Sequence, residues 1–360
     1  MKEYFEQISD PRQAKKVAHN LLEIVVMTIC AVISGCEYWD DIVDFCEVKQ
    51  SWFKEKLGLA LKNGLASHDT FQRVFQLISP IEMEACFLSW VKSVAEQTKG
   101  EIISIDGKTV CGSRDAKARA IHMVSAWANA NQLVLGQVKT DEKSNEITAI
   151  PTLLEMLELK GCIVTIDAMG CQKEIAKKIV GMEADYVFGL KGNHSDLHED
   201  VKVYFENESV LEKTTTHNKG HGRIETREYF LETDIEWLHH KADWVGIRAI
   251  GMVKSSVWDK DALHQEIRYF ITSLTDVKTF AKAVRAHWGI ENSLHWCLDV
   301  VFHEDDCRTR KDNSAENFSV VRRIALNILK NYPGKMSLAR KRRKCSYDHD
   351  FMADVLLSAF

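Results

Sequence analysis

Apolar residues recur at helical spacing through the first hundred positions, then give way to short, continuous apolar runs. Leu21, Leu22, Val25, Val26, Ile29, Val32 and Ile33 fall on one broad helical face, and Phe71, Val74, Phe75 and Ile78 on another. Residues 1–98 are therefore predicted to form a helical N-terminal domain without strands. Ser67-His68-Asp69 offers polar caps for the second of these helices, and Pro80 marks the turn after it. Trp39, Trp52 and Trp90 read as core residues rather than stacking platforms. The longest apolar stretch, Ile24 to Gly35, follows Glu23 and falls short of the roughly 20 residues a bilayer demands, so it reads as a buried helix.

From residue 101 the pattern is that of a mixed α/β sheet. Ile102-Ile103-Ser104-Ile105 and Ile163-Val164-Thr165-Ile166 read as buried strands, each followed by an aspartate and a tiny residue, Asp106-Gly107 and Asp167-Ala168. Between them lie runs 121–128 and 132–139, joined through Asn129-Ala130-Asn131 as a hairpin, and a helix over 147–159. A helix over 172–180, a strand over 185–190 and the loop Lys191-Gly192-Asn193-His194 follow. Residues 196–275 break the rhythm with alternating runs at 225–232, 245–253 and 266–272, which predict a β-rich insertion. A long helix is expected over 277–300, and a final one over 315–331, ended by Pro333-Gly334.

Composition narrows the class. Twenty-eight per cent charged and 45% hydrophobic residues suit a globular chain, and a formal charge of −5 argues against a uniformly basic nucleic-acid binder. Locally, residues 336–360 read as a basic tail in which Arg340, Arg342 and Arg343 could neutralise phosphates. The first residues have no basic and apolar leader pattern, so a cytoplasmic location is expected. None of the ten cysteines forms a Cys-x-x-Cys pair, which argues against a zinc knuckle and leaves them as reduced core residues.

Two carboxylates at the carboxyl ends of strands are a place for Mg²⁺, which takes one or two protein acids together with phosphate oxygens and water. A two-metal site needs a third acid. Glu291 is the best candidate, because positions 287, 291, 294, 295 and 298 share a helical face on which His287 and His295 flank it and Leu294 and Leu298 pack. Glu304, Asp305 and Asp306 compete with it, their other reading being a solvated acidic turn.

These features together resemble the DDE transposases of bacterial insertion sequences, in particular the H-repeat-associated proteins linked to Rhs elements. The resemblance runs through Ser67 to Phe71, Ile105 to Lys108, Asp167 to Gly170, Leu190 to His194, His221 to Glu225 and His287 to Asp299. It implies an RNase H-like catalytic domain over residues 99–335, with the β-rich insertion before the last catalytic helix. It places the catalytic, metal-binding acids at Asp106, Asp167 and Glu291, with two Mg²⁺ ions that Mn²⁺ can replace. The implied substrate is double-stranded DNA with terminal inverted repeats, cleaved and joined by a protein that pairs as a homodimer on two DNA ends, in the bacterial cytoplasm and associated with the nucleoid. Lys108, Lys191, Asn193, His194, Arg223, Arg227, His287 and His295 are the expected DNA contacts near the site. One departure stands out: the family's Tyr, Arg and Lys around the glutamate are replaced here by Val284, His287 and Leu298, leaving His287, Arg285 or His295 to substitute. The competing readings are an element remnant that only binds DNA, and a nuclease that cuts without joining.

Overall fold

The computed structural model describes residues 2–95, 100–114, 119–140, 146–208, 212–220, 223–259 and 262–358, with the backbone alone at Arg223 and Asp259. Nine strands form one mixed sheet: β1 (Ile102–Thr109), β2 (His122–Ala128), β3 (Leu133–Lys139), β4 (Ile163–Ile166), β5 (Asp185–Leu190), β6 (Glu212–Gly220), β7 (Arg223–Glu232), β8 (Ala249–Asp259) and β9 (Ala262–Thr272). Their spatial order is β3-β2-β1-β4-β5-β9-β8-β7-β6. β1 runs antiparallel to β2 and parallel to β4, and β4 runs parallel to β5. The first five strands thus have the RNase H-like arrangement.

The expected insertion is present, and it joins the same sheet rather than forming a separate lobe: β9 pairs antiparallel with β5, and β8, β7 and β6 follow outward. Its outermost strand, β6, reads Glu-Lys-Thr-Thr-Thr-His-Asn-Lys-Gly. An edge strand without an apolar face carries no alternation, which is why sequence pattern passes over it.

Alternation along β1 and β4 sorts their residues onto two faces. Ile103, Ile105, Val164 and Ile166 share a core with helices Glu146–Glu155, Lys173–Gly181 and Ser195–Asn207, through Leu153, Leu154, Ile175, Ile179, Leu197 and Val201. Ile102 and Ile163 point the other way, toward Phe280, Ala283 and Val284 of helix Val277–Ile290. With a period of two, Ser104, Asp106, Thr165 and Asp167 fall on that second face.

The N-terminal helices do not stand apart. Helices Leu21–Ile33, Trp39–Val48, His68–Leu77 and Pro80–Val94 share one core with helix Ser314–Asn331, with Met352 and Val355 near the C-terminus, and with Ile290, Leu294 and Leu298. Helix Ser314–Asn331 is buried on nearly every side, so it needs those helices as its cover. Trp39, Trp52 and Trp90 are buried, as read. Pro80 marks the break after helix His68–Leu77 and opens the next helix: it sits at the first helical position, where its missing N–H costs nothing, behind the Ser79 cap. No single described helix is long and apolar enough to cross a membrane.

The residues expected to be a basic tail form helices Leu338–Tyr347 and His349–Leu357. Lys341 donates to the carbonyls of Leu329 and Tyr332. Arg342 donates to the carbonyls of Val32 and Val301 and to Glu37, with its guanidinium over Phe302. Local charge suggested solvation, but backbone carbonyls from three other segments take up these cations.

At the open edge of the sheet, Asn327 completes β3 as a strand would: its Nδ2 donates to the Val134 carbonyl and its Oδ1 accepts from the Val134 N–H, both at 2.9 Å. Asn327→Leu is expected to leave two buried backbone groups unpaired and to cost about 2–4 kcal/mol, read as a lower midpoint in urea denaturation.

Candidate active site

Parallel pairing of β1 with β4 ends at Ile105 opposite Ile166. The next residues, Asp106 and Asp167, therefore emerge side by side, about 5 Å apart from strand to strand, on the face covered by helix Val277–Ile290. One step deeper on that face lies a polar rung: Thr165 Oγ1 is 3.1 Å from Ser104 Oγ and 2.9 Å from His287 Nδ1. Two residues along each strand, and one turn along the helix, lead from this rung to Asp106, Asp167 and Glu291. Asp167 Oδ1 accepts from the N–H groups of Met169 and Gly170, so it shapes the turn after β4 while its carboxyl lines the cavity. That cavity measures about 510 Å³ and is bounded by all three acids, Lys191, Arg268, His287 and Trp288.

Two glycines set the approach. A Cβ on Gly289 would lie 2.5 Å from Asn129 Oδ1, so the glycine lets the helix press against the β2–β3 hairpin just before Glu291 without displacing that side chain. A Cβ on Gly107 would lie 2.1 Å from Glu146 Oε1 and 2.3 Å from His122 Nε2. The helix does not run evenly over 277–300 as the spacing predicts: residues Glu291–His295 form a π-helical turn, in which the Trp296 N–H reaches the Glu291 carbonyl five residues back. Such turns are rare and gather at functional sites.

Negative charge is crowded here. Burial, followed by the charges of Glu146, Asp167 and Glu291, pushes the Asp106 carboxyl up to about 7, against a favourable hydrogen bond from the Gly107 N–H. His295 Nδ1 lies 3.3 Å from Glu291 Oε2 and 3.6 Å from Asp106 Oδ2. One ligand atom each from Asp106, Glu291 and His295 come within 4.8 Å of one another, close enough for a single ion. Burial lowers both His287 and His295, the latter to about 4 despite the attraction of Glu291. Hard carboxylate oxygens held together at this cost suit a divalent cation.

The family model described as "Transposase DDE domain" matches residues 97–328, and one described as "DDE_Tnp_1-associated" matches residues 2–91. The chain belongs to the DDE transposase family. Members of this family are DNA-cleaving and DNA-transferring enzymes that use divalent metal. Among relatives, YhhI of Escherichia coli (strain K12), an H repeat-associated protein named as a transposase, is 43% identical over 98% of this chain and 97% of its own. YncI of Escherichia coli O157:H7, also named as a transposase, is 43% identical over 99% of this chain and 94% of its own. The solved synaptic complex of the piggyBac transposase with hairpin DNA aligns at a TM-score of 0.41 and 11% identity, covering 97% of this chain and 76% of that one.

Within this DDE transposase, the structure redistributes the residues expected to grip DNA. Lys108 is buried at 7% exposure, with Nζ 2.7 Å from Asp299, 2.8 Å from Asp305 and 3.7 Å from Glu304. It is an internal ion-pair partner, its ammonium enclosed by carboxylates. Those same contacts remove Glu304 and Asp305 as rivals to Glu291, since Glu304 is fully buried against Arg323 at 2.9 Å; the acidic turn is largely internal, with Asp306 alone exposed. Asn193 donates to the Ala168 carbonyl and His194 to the Cys171 carbonyl, so both brace the turn after Asp167. His287 is held by Thr165, His295 by the acids, and Arg342 by carbonyls. Lys191, Arg340 and Arg343 stay exposed, and Arg227 pairs with Glu225 beside the cleft. The Arg223 side chain and His221-Gly222 lie outside the described residues.

Two participants escaped the sequence reading. Glu146, held by His122 at 2.8 Å, exerts the largest charge effect on Asp106. The glycine inside β1 was its one local signal, because strand glycines mark close approach by another group. Arg268, on β9 of the insertion, lies over the Trp288 ring at 4.7 Å and pairs with Glu266.

Because folding raises the Asp106 pKa, the metal-free protein should lose stability as pH rises from about 4 to 7 and stay at the lower level above that. Asp106→Asn should therefore gain up to a few kcal/mol over wild type at pH 8 in chelator, and gain little near pH 4, measured by urea denaturation. Lys108→Met should cost about 1.5–3 kcal/mol, the scale of hydrogen bonds to charged groups, by leaving the half-buried Asp299 and Asp305 without their cation, seen as a lower thermal midpoint.

Proposed function

We propose that this transposase cuts DNA at the terminal inverted repeats of an insertion element and transfers the freed strand to a target, with Asp106, Asp167 and Glu291 holding two Mg²⁺ ions or Mn²⁺ in their place. The observation that carries this reading is the convergence of three acids, from two adjacent strands and one helix, on one cavity. Bound divalent ions activate an oxygen nucleophile and offset charge on the leaving oxygen. In the first step water adds to phosphorus and the P–O3′ bond breaks, freeing a 3′-hydroxyl; in the second, that hydroxyl attacks a target phosphodiester and releases its 3′-hydroxyl. Asp106 and Asp167, fixed by strand register, and Glu291, fixed by the helix, orient these groups with little reorganisation. Lys191 at the rim, with Arg223, Arg227, Arg340 and Arg343, supplies phosphate contacts that position the duplex. Residues 1–98 would recognise the element end, residues 99–335 would catalyse, and two copies would pair two ends, in the cytoplasm and associated with the nucleoid.

A second reading, cutting without joining or binding without either, is favoured by one observation. Val284 and Leu298, which stand where the family's Tyr and Lys would be, are buried apolar side chains, so neither offers a polar group to a DNA end.

Purified protein incubated with labelled duplex carrying the element's inverted repeats and Mg²⁺ or Mn²⁺ should nick at the repeat end and form joined products. Asp106→Ala and Glu291→Gln should each lower cleavage by at least about 100-fold, the scale of losing one electrostatic stabiliser. Cleavage without joined product would support the cutting-only reading; equal cleavage by wild type and variants would overturn the assignment of these acids.

A further inference from the structure

We propose that His295 is a nitrogen ligand of the divalent ion held by Asp106 and Glu291, so that this centre favours Mn²⁺ over Mg²⁺. This deepens the metal-centre reading above and rests on it. The side chain is 5% exposed, and its Nδ1 faces both carboxylates. Its donor atom joins one from each acid in a single cluster within 4.8 Å, while Nε2 has no hydrogen-bond partner among the described residues. The ring is almost wholly removed from water yet makes only two contacts longer than 3.2 Å to the acids, a geometry that can contract about a cation.

The backbone supports the same assignment. The π-helical turn runs from Glu291 to His295, with α-helix on either side, so the irregularity is confined to the segment bounded by these two donors. His287, one turn before Glu291, has its Nδ1 engaged by Thr165 and lies outside the cluster of three donors. A centre with two carboxylates and one imidazole differs chemically from an all-oxygen one: Mg²⁺ keeps to oxygen donors, whereas first-row transition ions accept nitrogen.

The test uses the full chain with Mn²⁺ alone. Pulsed EPR of bound Mn²⁺ should show the coupling of a directly bound histidine nitrogen, and labelling histidine with heavy nitrogen should change that coupling. His295→Gln should lose it and bind Mn²⁺ about 10- to 100-fold more weakly by calorimetry, with a smaller change for Mg²⁺. His295→Asn serves as a second variant, each being checked for folding by circular dichroism. Mn²⁺ bound by wild type without nitrogen coupling, or coupling that persists in either folded variant, would overturn the assignment of His295 and leave the carboxylate site standing. Failure of wild type to bind Mn²⁺ any better than Asp106→Asn would overturn the metal centre itself.

Discussion

Repulsion between carboxylates is the constraint around which the catalytic half is organised. Asp106 is buried beside Asp167, Glu291 and Glu146, and the rise of its pKa to about 7 expresses its removal from water first and their proximity second. Acids on a yielding scaffold would separate or protonate. Here they are carried by elements that have little room to move: two central strands in fixed register, and a helix pressed onto them where a glycine admits the asparagine of a neighbouring hairpin.

The restraint continues behind the site. Lys108, on the same face of β1 as Asp106 and two residues beyond it, binds Asp299 and Asp305 in the segment that follows Glu291. Glu304 of the same segment pairs with Arg323 in the helix at the centre of the N-terminal core. A chain of buried charges thus links the strand carrying one acid, the segment beyond another, and the helical half of the molecule. Buried pairs of this kind add little net stability, but breaking one is expensive, so the geometry between the elements they join is well defined.

Much of the architecture was legible in the residues. Strand positions and their terminal aspartates followed from continuous Ile and Val runs, and Glu291 from helical spacing. The presence of a β-rich insertion was also visible in its alternating runs. What escaped were features whose evidence is not local: the polar edge strand β6, the continuation of the central sheet through β9, and Arg268 over Trp288. Cations were read least well. Lys108 and Arg342 looked like solvent-facing phosphate contacts, yet each is internal because acids or carbonyls distant in sequence surround it.

Periodicity, turn chemistry and residue type thus dictated which segments are strands or helices and which side chains could serve as acids, because those properties act over a few neighbouring residues. Only the packed fold decided which charges meet. Asp106 and Glu291 are 185 positions apart in the chain, and no local pattern specifies that distance in space. Sheet register, one helix crossing and the π-helical turn after Gly289 bring them together, with His295 between them.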